Sequence, residues 1–422
     1  ILDSVINPLD LHALTFAAEL VGDDPKARIV FLTMGPPAAR EMLVDCLSRV
    51  PGEAILLTDK AFAGADTGAT AYSLAMAIRR VQHEMSDDQC EYAIVTGMQS
   101  VDGDTAQVPP QIAEELGIDH IAYAQSVRRD DEQNPPWIIR RIAAEGIEDV
   151  HPRHCPVLIT LTASTSPLFR SFAAAREARI ADIHEWSAES VGADRSRIGL
   201  KGSWTQVHHL FSPSEARTKT CKFVDDPAEL VASMKAAYEV AEAGATVPCV
   251  DQAYDLAGRE PTYRGEFWVF AEPEGDGVRS VSLELVGVAR DLANCLDEKV
   301  AAVLAIDEAG DRPEALIAAG ADIVYVLEHP LLARFDPIGH KSVLADLVRE
   351  RKPQVMLFGA SPLGRELAPR VAYACRSGLT ADFTQLEIGD FRKGAIDCVG
   401  ILKQTRPALG GNVMARIMTK DS

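Results

Sequence analysis

The sequence predicts an α/β protein of two related parallel-sheet halves, packed as a pseudo-two-fold pair. Three observations carry this. Strand-length apolar runs alternate with helix-period segments from residue 27 to 117. The alternation lapses and restarts at Glu266. The second stretch then repeats the element order of the first, which is how βα units and an internal duplication read in sequence.

The elements follow in order. Asn7-Pro8-Leu9-Asp10 caps a helix with apolar positions at Leu11, Leu14, Ala17, Ala18 and Val21, closed by Gly22. A buried strand at 27–33 ends at Gly35-Pro36-Pro37; a helix reaches about residue 50, and a strand follows at 53–57. The loop from Phe62 to Thr70 enters a helix around 74–81, and Tyr92-Ala93-Ile94-Val95-Thr96 is the next strand. Residues 120–220 are more mixed, with strands at 137–142 and 157–161, a short basic helix at 169–179 and an exposed basic loop at 194–203. A helix over 227–243 leads to a polar linker at 246–264. The restart gives a strand at 267–271, then helix 282–296, strand 299–306, helix 313–319 and strand 322–327. Helix 342–351, strand 354–358, the turn Gly359 to Arg365 and a helix to Ala374 follow, with strands at 385–388, 395–401 and 413–417. The repeat pairs 55–57, Gly97 and 112–117 with 324–326, Gly359 and 371–374.

At 422 residues the chain exceeds one ordinary core. A net charge of −20 argues against nucleic acid or an anionic membrane as the main partner. No apolar run approaches the roughly 20 residues of a membrane span. Eight scattered cysteines, without a C-x-x-C pair, argue against a sequence-local metal site and fit free thiols in a cytoplasmic protein. Ile1-Leu2-Asp3 has no basic stretch of a signal peptide. The histidines form no H-x-x-x-H or H-E-x-x-H pair, and no nucleophile–base arrangement stands out. Neither catalytic side chains nor a metal site are therefore expected.

The turn Gly97-Met98-Gln99-Ser100-Val101-Asp102-Gly103-Asp104-Thr105-Ala106-Gln107-Val108 is the centre of the reading. A strand, a polar turn and a proline-opened helix aim free amides and a helix N-terminus into one crevice, where phosphates bind. Gly103 lets backbone approach a pyrophosphate, and Thr105 and Gln107 can donate to it. Asp102 and Asp104 would repel it and are expected to hold the turn. An acidic, solvated loop is the alternative. Gly64-Ala65-Asp66-Thr67 is the neighbouring strand end, where Asp66 or Thr67 can also cap a helix.

Several motifs together resemble the electron transfer flavoprotein family. Asn7 to Asp10, Thr33-Met34-Gly35-Pro36-Pro37, Asp59 to Thr70, Val101 to Val108 and Gly199-Leu200-Lys201-Gly202-Ser203 resemble its β subunit, over residues 1–245. Ser361 to Ala372, Gly378-Leu379-Thr380-Ala381-Asp382 and Thr405 to Asn412 resemble the N-terminal domain of its α subunit, over 265–422. The resemblance implies a β–α fusion of three-layer domains of the adenine nucleotide alpha hydrolase-like kind. By the same resemblance the family's C-terminal flavin domain, which would hold a second FAD, is expected to follow residues 415–417 and to lie outside this chain. The resemblance further implies a cofactor site at Gly64, Ala65, Asp66, Thr67, Gln99, Gly103, Asp104, Thr105, Gln107 and Val108, holding FAD in bifurcating members and AMP in one-flavin members. The Asp-Gly-Asp-Thr-x-Gln-Val form resembles the bifurcating type. Arg365 is assigned to the flavin and Arg370 to structure, with an ion pair of Arg365 to Glu366 or Asp382 as the alternative. Residues 194–203 resemble the partner-docking loop, in which Ile198 or Leu200 would dock while Arg195, Arg197 and Lys201 steer. The implied activity passes electrons between NADH, flavin and an acyl-CoA-type or related dehydrogenase, with ferredoxin or flavodoxin as the low-potential acceptor of a bifurcating member. A one-flavin carrier with AMP, and a non-redox adenine-nucleotide scaffold, are the alternatives. Two departures stand out: Met98 replaces a usual Lys or Arg, and Leu168 replaces a frequent Arg.

Overall fold

The computed structural model describes residues 5–85, 92–130, 132, 134–143, 146–163, 167–212, 223–242, 254–393, 396–408 and 410–419. The expectations placed on 1–3, Cys90, Cys221, Cys249 and 246–253 lie outside these residues. In the first half the chain runs through α1 (Pro8–Val21), β1 (Val30–Met34), α2 (Arg40–Arg49), β2 (Glu53–Leu57), α3 (Thr67–Met85) and β3 (Ala93–Gly97). It continues as α4 (Val108–Leu116), β4 (Asp119–Arg129), β5 (Trp137–Ala143), β6 (Gly146–Val150), β7 (Val157–Leu161), α5 (Phe172–Ile180) and β8 (Ile183–Trp186). The turn α6 (Gly199–Gly202), β9 (Thr205–Phe211) and α7 (Pro227–Glu242) follow.

Parallel strands run in the orders β1-β2-β8 and β3-β7-β4, and the second sheet is extended by antiparallel β5 and β6. The apolar runs are buried on both faces, as parallel sheets require. Ile55 and Leu57 pack with Tyr72 and Ala77 of α3, whereas Ala54 and Leu56 pack with Leu14 of α1 and Leu43 of α2. Strand β7 divides the same way: Val157 and Ile159 face α1, and Leu158 faces α4. This alternation produces three layers.

The second half comprises β10 (Phe267–Ala271), the ribbon β11 (Pro273–Glu274) and β12 (Gly277–Val278), α8 (Ser280–Asn294), β13 (Val300–Ile306), α9 (Arg312–Ala318) and β14 (Ile323–Glu328). Then come α10 (Pro337–Arg351), β15 (Val355–Leu357), α11 (Pro362–Ala374), β16 (Gln385–Lys393), β17 (Ile396–Ala408) and β18 (Val413–Thr419). Its sheet is parallel in the order β14-β13-β10-β15. Phe267 and Val269 meet Leu285 and Leu292 of α8; Trp268 and Phe270 meet Leu344 of α10 and Leu367 of α11. The halves match in detail. Each has a short turn after the β2 or β14 strand, at Lys60–Phe62 and Pro330–Leu332. Helices α4 and α11, which follow the equivalent strands β3 and β15, pack on one another.

Three features depart from the sequence reading. Strand β9 of the first half pairs with β18, so β16-β17-β18-β9 is one antiparallel sheet built from both halves. Part of the expected linker is structured: Tyr254 and Leu256 pack on the second core, and Tyr254 donates to Asp390 at 2.5 Å. The loop at 194–203 is not a free basic loop. Ile198 is 2% exposed and packs with Ile55, Phe62 and Tyr72. A Cβ on Gly199 would lie 2.2 Å from the Ala61 carbonyl, so only glycine lets this segment fold back so closely.

Candidate functional site

The loop 97–108 is built from its two ends. Asn7-Pro8-Leu9-Asp10 does more than start α1. The Asn7 amide donates to the Gln99 carbonyl at 2.9 Å and accepts from the Val101 N–H at 3.2 Å. The Asp10 carboxylate accepts from the Gly97 N–H at 2.6 Å. Burial pushes the Asp10 carboxyl up, and the Gly97 and Asn7 hydrogen bonds pull against it. The two awkward aspartates hold the turn, as expected: Asp102 accepts from the Gly103 N–H at 2.8 Å, and Asp104 accepts from the Gln99 amide at 2.7 Å. Asp104 and Ala106 both have left-handed backbone, with φ of 50° and 55°, a conformation sparse for residues with a Cβ and common at ligand-binding turns.

The neighbouring loop is tied to the first. Thr67 Oγ1 donates to Gln107 Oε1 at 2.8 Å. Asp66 caps α3 through the Ala69 N–H at 2.9 Å, and its second oxygen accepts from the Trp204 and Thr205 N–H groups at 2.7 and 2.8 Å. Gly64 sits against Leu200, and Ser203 Oγ donates to the Gly64 carbonyl at 3.2 Å. The N-termini of α3 and α4 therefore converge. At this point the amides of Thr67, Gly68, Thr105 and Ala106 make no hydrogen bond among the described residues.

The second half closes on the same place. Arg406 donates from Nη2 to the Asp104 carbonyl at 3.0 Å, and Gln107 Nε2 donates to the Leu379 carbonyl at 3.4 Å. Arg406 is 5% exposed; burial pushes its guanidinium down while Asp382 and Asp104 support the charge. Thr380 Oγ1 is buried without a partner among the described residues. Arg365 pairs with Asp382 rather than Glu366 and lines a narrow gap with Met98, Ala106, His120, Tyr123 and Glu366. Tyr123 has φ 59° at a bulge between β4 and β7. A separate cleft of about 450 Å³ is lined by Glu19, Asp24, Arg128 and Trp137 and shares no residue with these loops.

The structure ties Thr67 to Gln107 and Gln99 to Asp104, sets Arg365 at one gap with Met98 and Ala106, and sets Gly64 and Asp66 against residues 200–205. It changes three assignments. Gln107, 1% exposed, is committed to Thr67 and Leu379 and positions the loops instead of presenting a donor to a phosphate. Arg197 does not steer a partner: it pairs with Glu115 at 2.7 Å, donates to the Tyr373 hydroxyl at 3.1 Å and stacks 3.8 Å over the Tyr72 ring. Ile198 is withdrawn from docking by its burial, while Leu200 is 57% exposed beside exposed Lys201. Arg370 is structural, 1% exposed and 3.3 Å from Glu114. The sequence reading missed the latch role of Asn7 and Asp10, the tie of Ser203, and Tyr123 and Arg406. Asn7, Asp10, Ser203 and Arg406 all lie inside the motifs quoted above; Tyr123 carries no sequence signal.

Among the described residues no cluster of His, Cys, Asp or Glu could hold a metal ion, and no helix is long and apolar enough to cross a membrane. Residues 2–191 and 267–422 match the family model of the electron transfer flavoprotein domain. The chain is 42% identical over 224 residues to Protein FixA of Bradyrhizobium diazoefficiens, covering 53% of this chain and 76% of that one. It is 34% identical over 210 residues to the caffeyl-CoA reductase-Etf complex subunit CarD of Acetobacterium woodii, covering 50% and 76%. It is also 42% identical over 156 residues to the electron transfer flavoprotein subunit alpha of Thermoanaerobacterium thermosaccharolyticum, covering 37% of this chain and 45% of that one, less than half of that relative's length. With β-type and α-type motifs in one fused chain, this protein belongs to the electron transfer flavoprotein family.

Proposed function

We propose that the crevice between residues 64–67 and 99–108 holds FAD, and that the chain passes electrons between NADH, this flavin and a partner dehydrogenase by flavin-based bifurcation. The observation that carries the reading is the convergence of unsatisfied donors: the Thr67, Gly68, Thr105 and Ala106 amides at two helix N-termini, beside the Arg406 guanidinium. That donor set fits a pyrophosphate, and the partnerless Thr380 hydroxyl offers a further bond at the same place. When bound, the flavin supplies hydride acceptance and one-electron transfer.

The chain's own residues bind and orient. The Thr67–Gln107 bond keeps both helix N-termini aimed at one point. Asp102 and Asp104 keep their charge on the turn's own donors and off the phosphate. Arg406 supplies from across the interface the cation that Met98 lacks. Arg365, anchored by Asp382, fixes a positive charge at the gap, where it would favour negative charge on the reduced cofactor. Leu200 and Lys201 remain the docking surface for a dehydrogenase; the CarD relative is, by its name, a subunit of a caffeyl-CoA reductase complex. Ferredoxin or flavodoxin would take the low-potential electron. Anaerobic titration of the FAD-loaded protein with NADH tests the activity: bleaching of the flavin is expected, and an unchanged flavin spectrum would refute hydride transfer.

A further inference from the structure

The two halves are built on one plan, yet their crevices differ in what fills them. In the second half the order β14-β13-β10-β15 makes the gap between β10 and β15 the topological switch point, where α/β sheets hold ligands beyond their carboxyl ends. Glu272 follows β10 directly and is 1% exposed. A Cβ on Gly359, just after β15, would lie 2.7 Å from Glu272 Oε1, and one on Gly364, in the first turn of α11, 3.2 Å. The carboxylate therefore lies against the N-terminus of a 13-residue helix. No backbone N–H among the described residues bonds either of its oxygens; burial pushes the carboxyl up, and the Ser361 hydroxyl and the Arg279 charge pull against this. The Ser361 oxygen accepts from the Gly364 N–H at 3.0 Å, which leaves its own proton for the carboxylate, and Arg279 Nε stands 3.4 Å from Oε2.

The corresponding place in the first half is arranged otherwise. Ten residues, 98–107, join β3 to α4 there, and four, 358–361, join β15 to α11. The longer loop leaves its Thr105 and Ala106 amides open, and the Asp10 carboxylate is spent on the Gly97 N–H. In the second half a buried carboxylate lies instead beside a guanidinium and a helix N-terminus, the elements that would otherwise receive an anion.

We propose that Glu272 is a built-in anion that occupies the switch-point crevice of the second half in the place of a phosphate, closing that half to nucleotides. The inference concerns the second half alone and does not require that the first half bind a flavin. It predicts that shortening this side chain converts the crevice into a phosphate site.

The test is calorimetric titration of this chain with inorganic phosphate, wild type serving as the reference for whatever the first half takes. Glu272→Ala should gain one site per chain, at least tenfold tighter than any second site in wild type. The gain should vanish in the Glu272→Ala, Arg279→Ala double variant and be absent in Glu272→Gln, which keeps the crevice filled. A folded Glu272→Ala with wild-type stoichiometry and affinity overturns the proposal. If Glu272→Ala folds only when phosphate is present, the recovery supports it; failure to fold with and without phosphate overturns it. A wild-type chain that takes up no flavin would refute the reading of the first half and leave this result intact.

Discussion

Gln107 shows what a side chain contributes when it holds a loop and does not touch the ligand. Its amide bridges Thr67 of one loop and the Leu379 carbonyl of the other half. Replacing it with Leu removes both bonds and leaves the Thr67 hydroxyl unpaired, a loss of about 1 kcal/mol. Gln107→Leu should therefore weaken FAD binding roughly five- to tenfold, measured by fluorescence titration; unchanged affinity would mean the loops are positioned by something else. The motif containing Gln107 was legible in sequence, but the direction of its side chain was not. That direction depends on the left-handed backbone at Asp104 and Ala106, which sequence does not announce at residues other than glycine. Ile198 misled for a similar reason. An apolar residue between Arg197 and Gly199 reads as exposed, and it is buried only because Gly199 lets the chain approach residue 61.

Helices α4 and α11 form the charged seam between the halves. Glu114 meets Lys341 at 2.7 Å and Arg370 at 3.3 Å; Glu115 meets Arg197 at 2.7 Å and accepts from the Tyr373 hydroxyl at 2.7 Å. The Arg370 side chain is 2% exposed. Arg370→Ala removes one of the two cations near Glu114, which keeps Lys341, and near the buried Glu366, which keeps Arg141, and should cost about 1–3 kcal/mol in denaturant unfolding. A cost below about 1 kcal/mol would place the seam's strength in its apolar contacts. Glu115 gives the seam a pH dependence. Burial raises its pKa, but hydrogen bonds from Arg197 and Tyr373 and the charges of Arg197 and Arg79 outweigh this and hold it below 4.5. A carboxyl depressed in the folded state stabilises above its unfolded value and loses that contribution as pH falls through the folded one. Wild type should therefore lose thermal stability more steeply than Glu115→Gln as pH drops below 4.5, followed by melting temperature; parallel profiles would contradict the pairing. Both helices were readable from their periodicity and proline starts, and the duplication matched them to each other. Their mutual contact was not readable, because ion pairs across hundreds of residues leave no local pattern.

At the scale of the whole molecule, the shared sheet matters most. Strand β9 pairs with β18 across the boundary between the halves, so one antiparallel sheet is completed only by both halves together. With the α4–α11 seam, this predicts one cooperative calorimetric transition; two separated transitions would show halves that fold independently. The α/β class and the repeated order of elements were legible because parallel strands buried on both faces leave apolar runs at regular spacing. The shared sheet was not, since β9 carries exposed Val207, His208, His209 and Leu210 and has no clean alternation. The same interlock explains why the candidate site belongs to both halves: its amides come from the first, and Arg406, Thr380 and Arg365 from the second. FAD is the proposed occupant of this composite crevice. This occupancy is tested most directly by loading the chain with FAD and AMP together, removing free nucleotide, and identifying what denaturation releases by liquid chromatography. A flavin site should release close to one FAD per chain; one AMP and no flavin, or neither, would refute it.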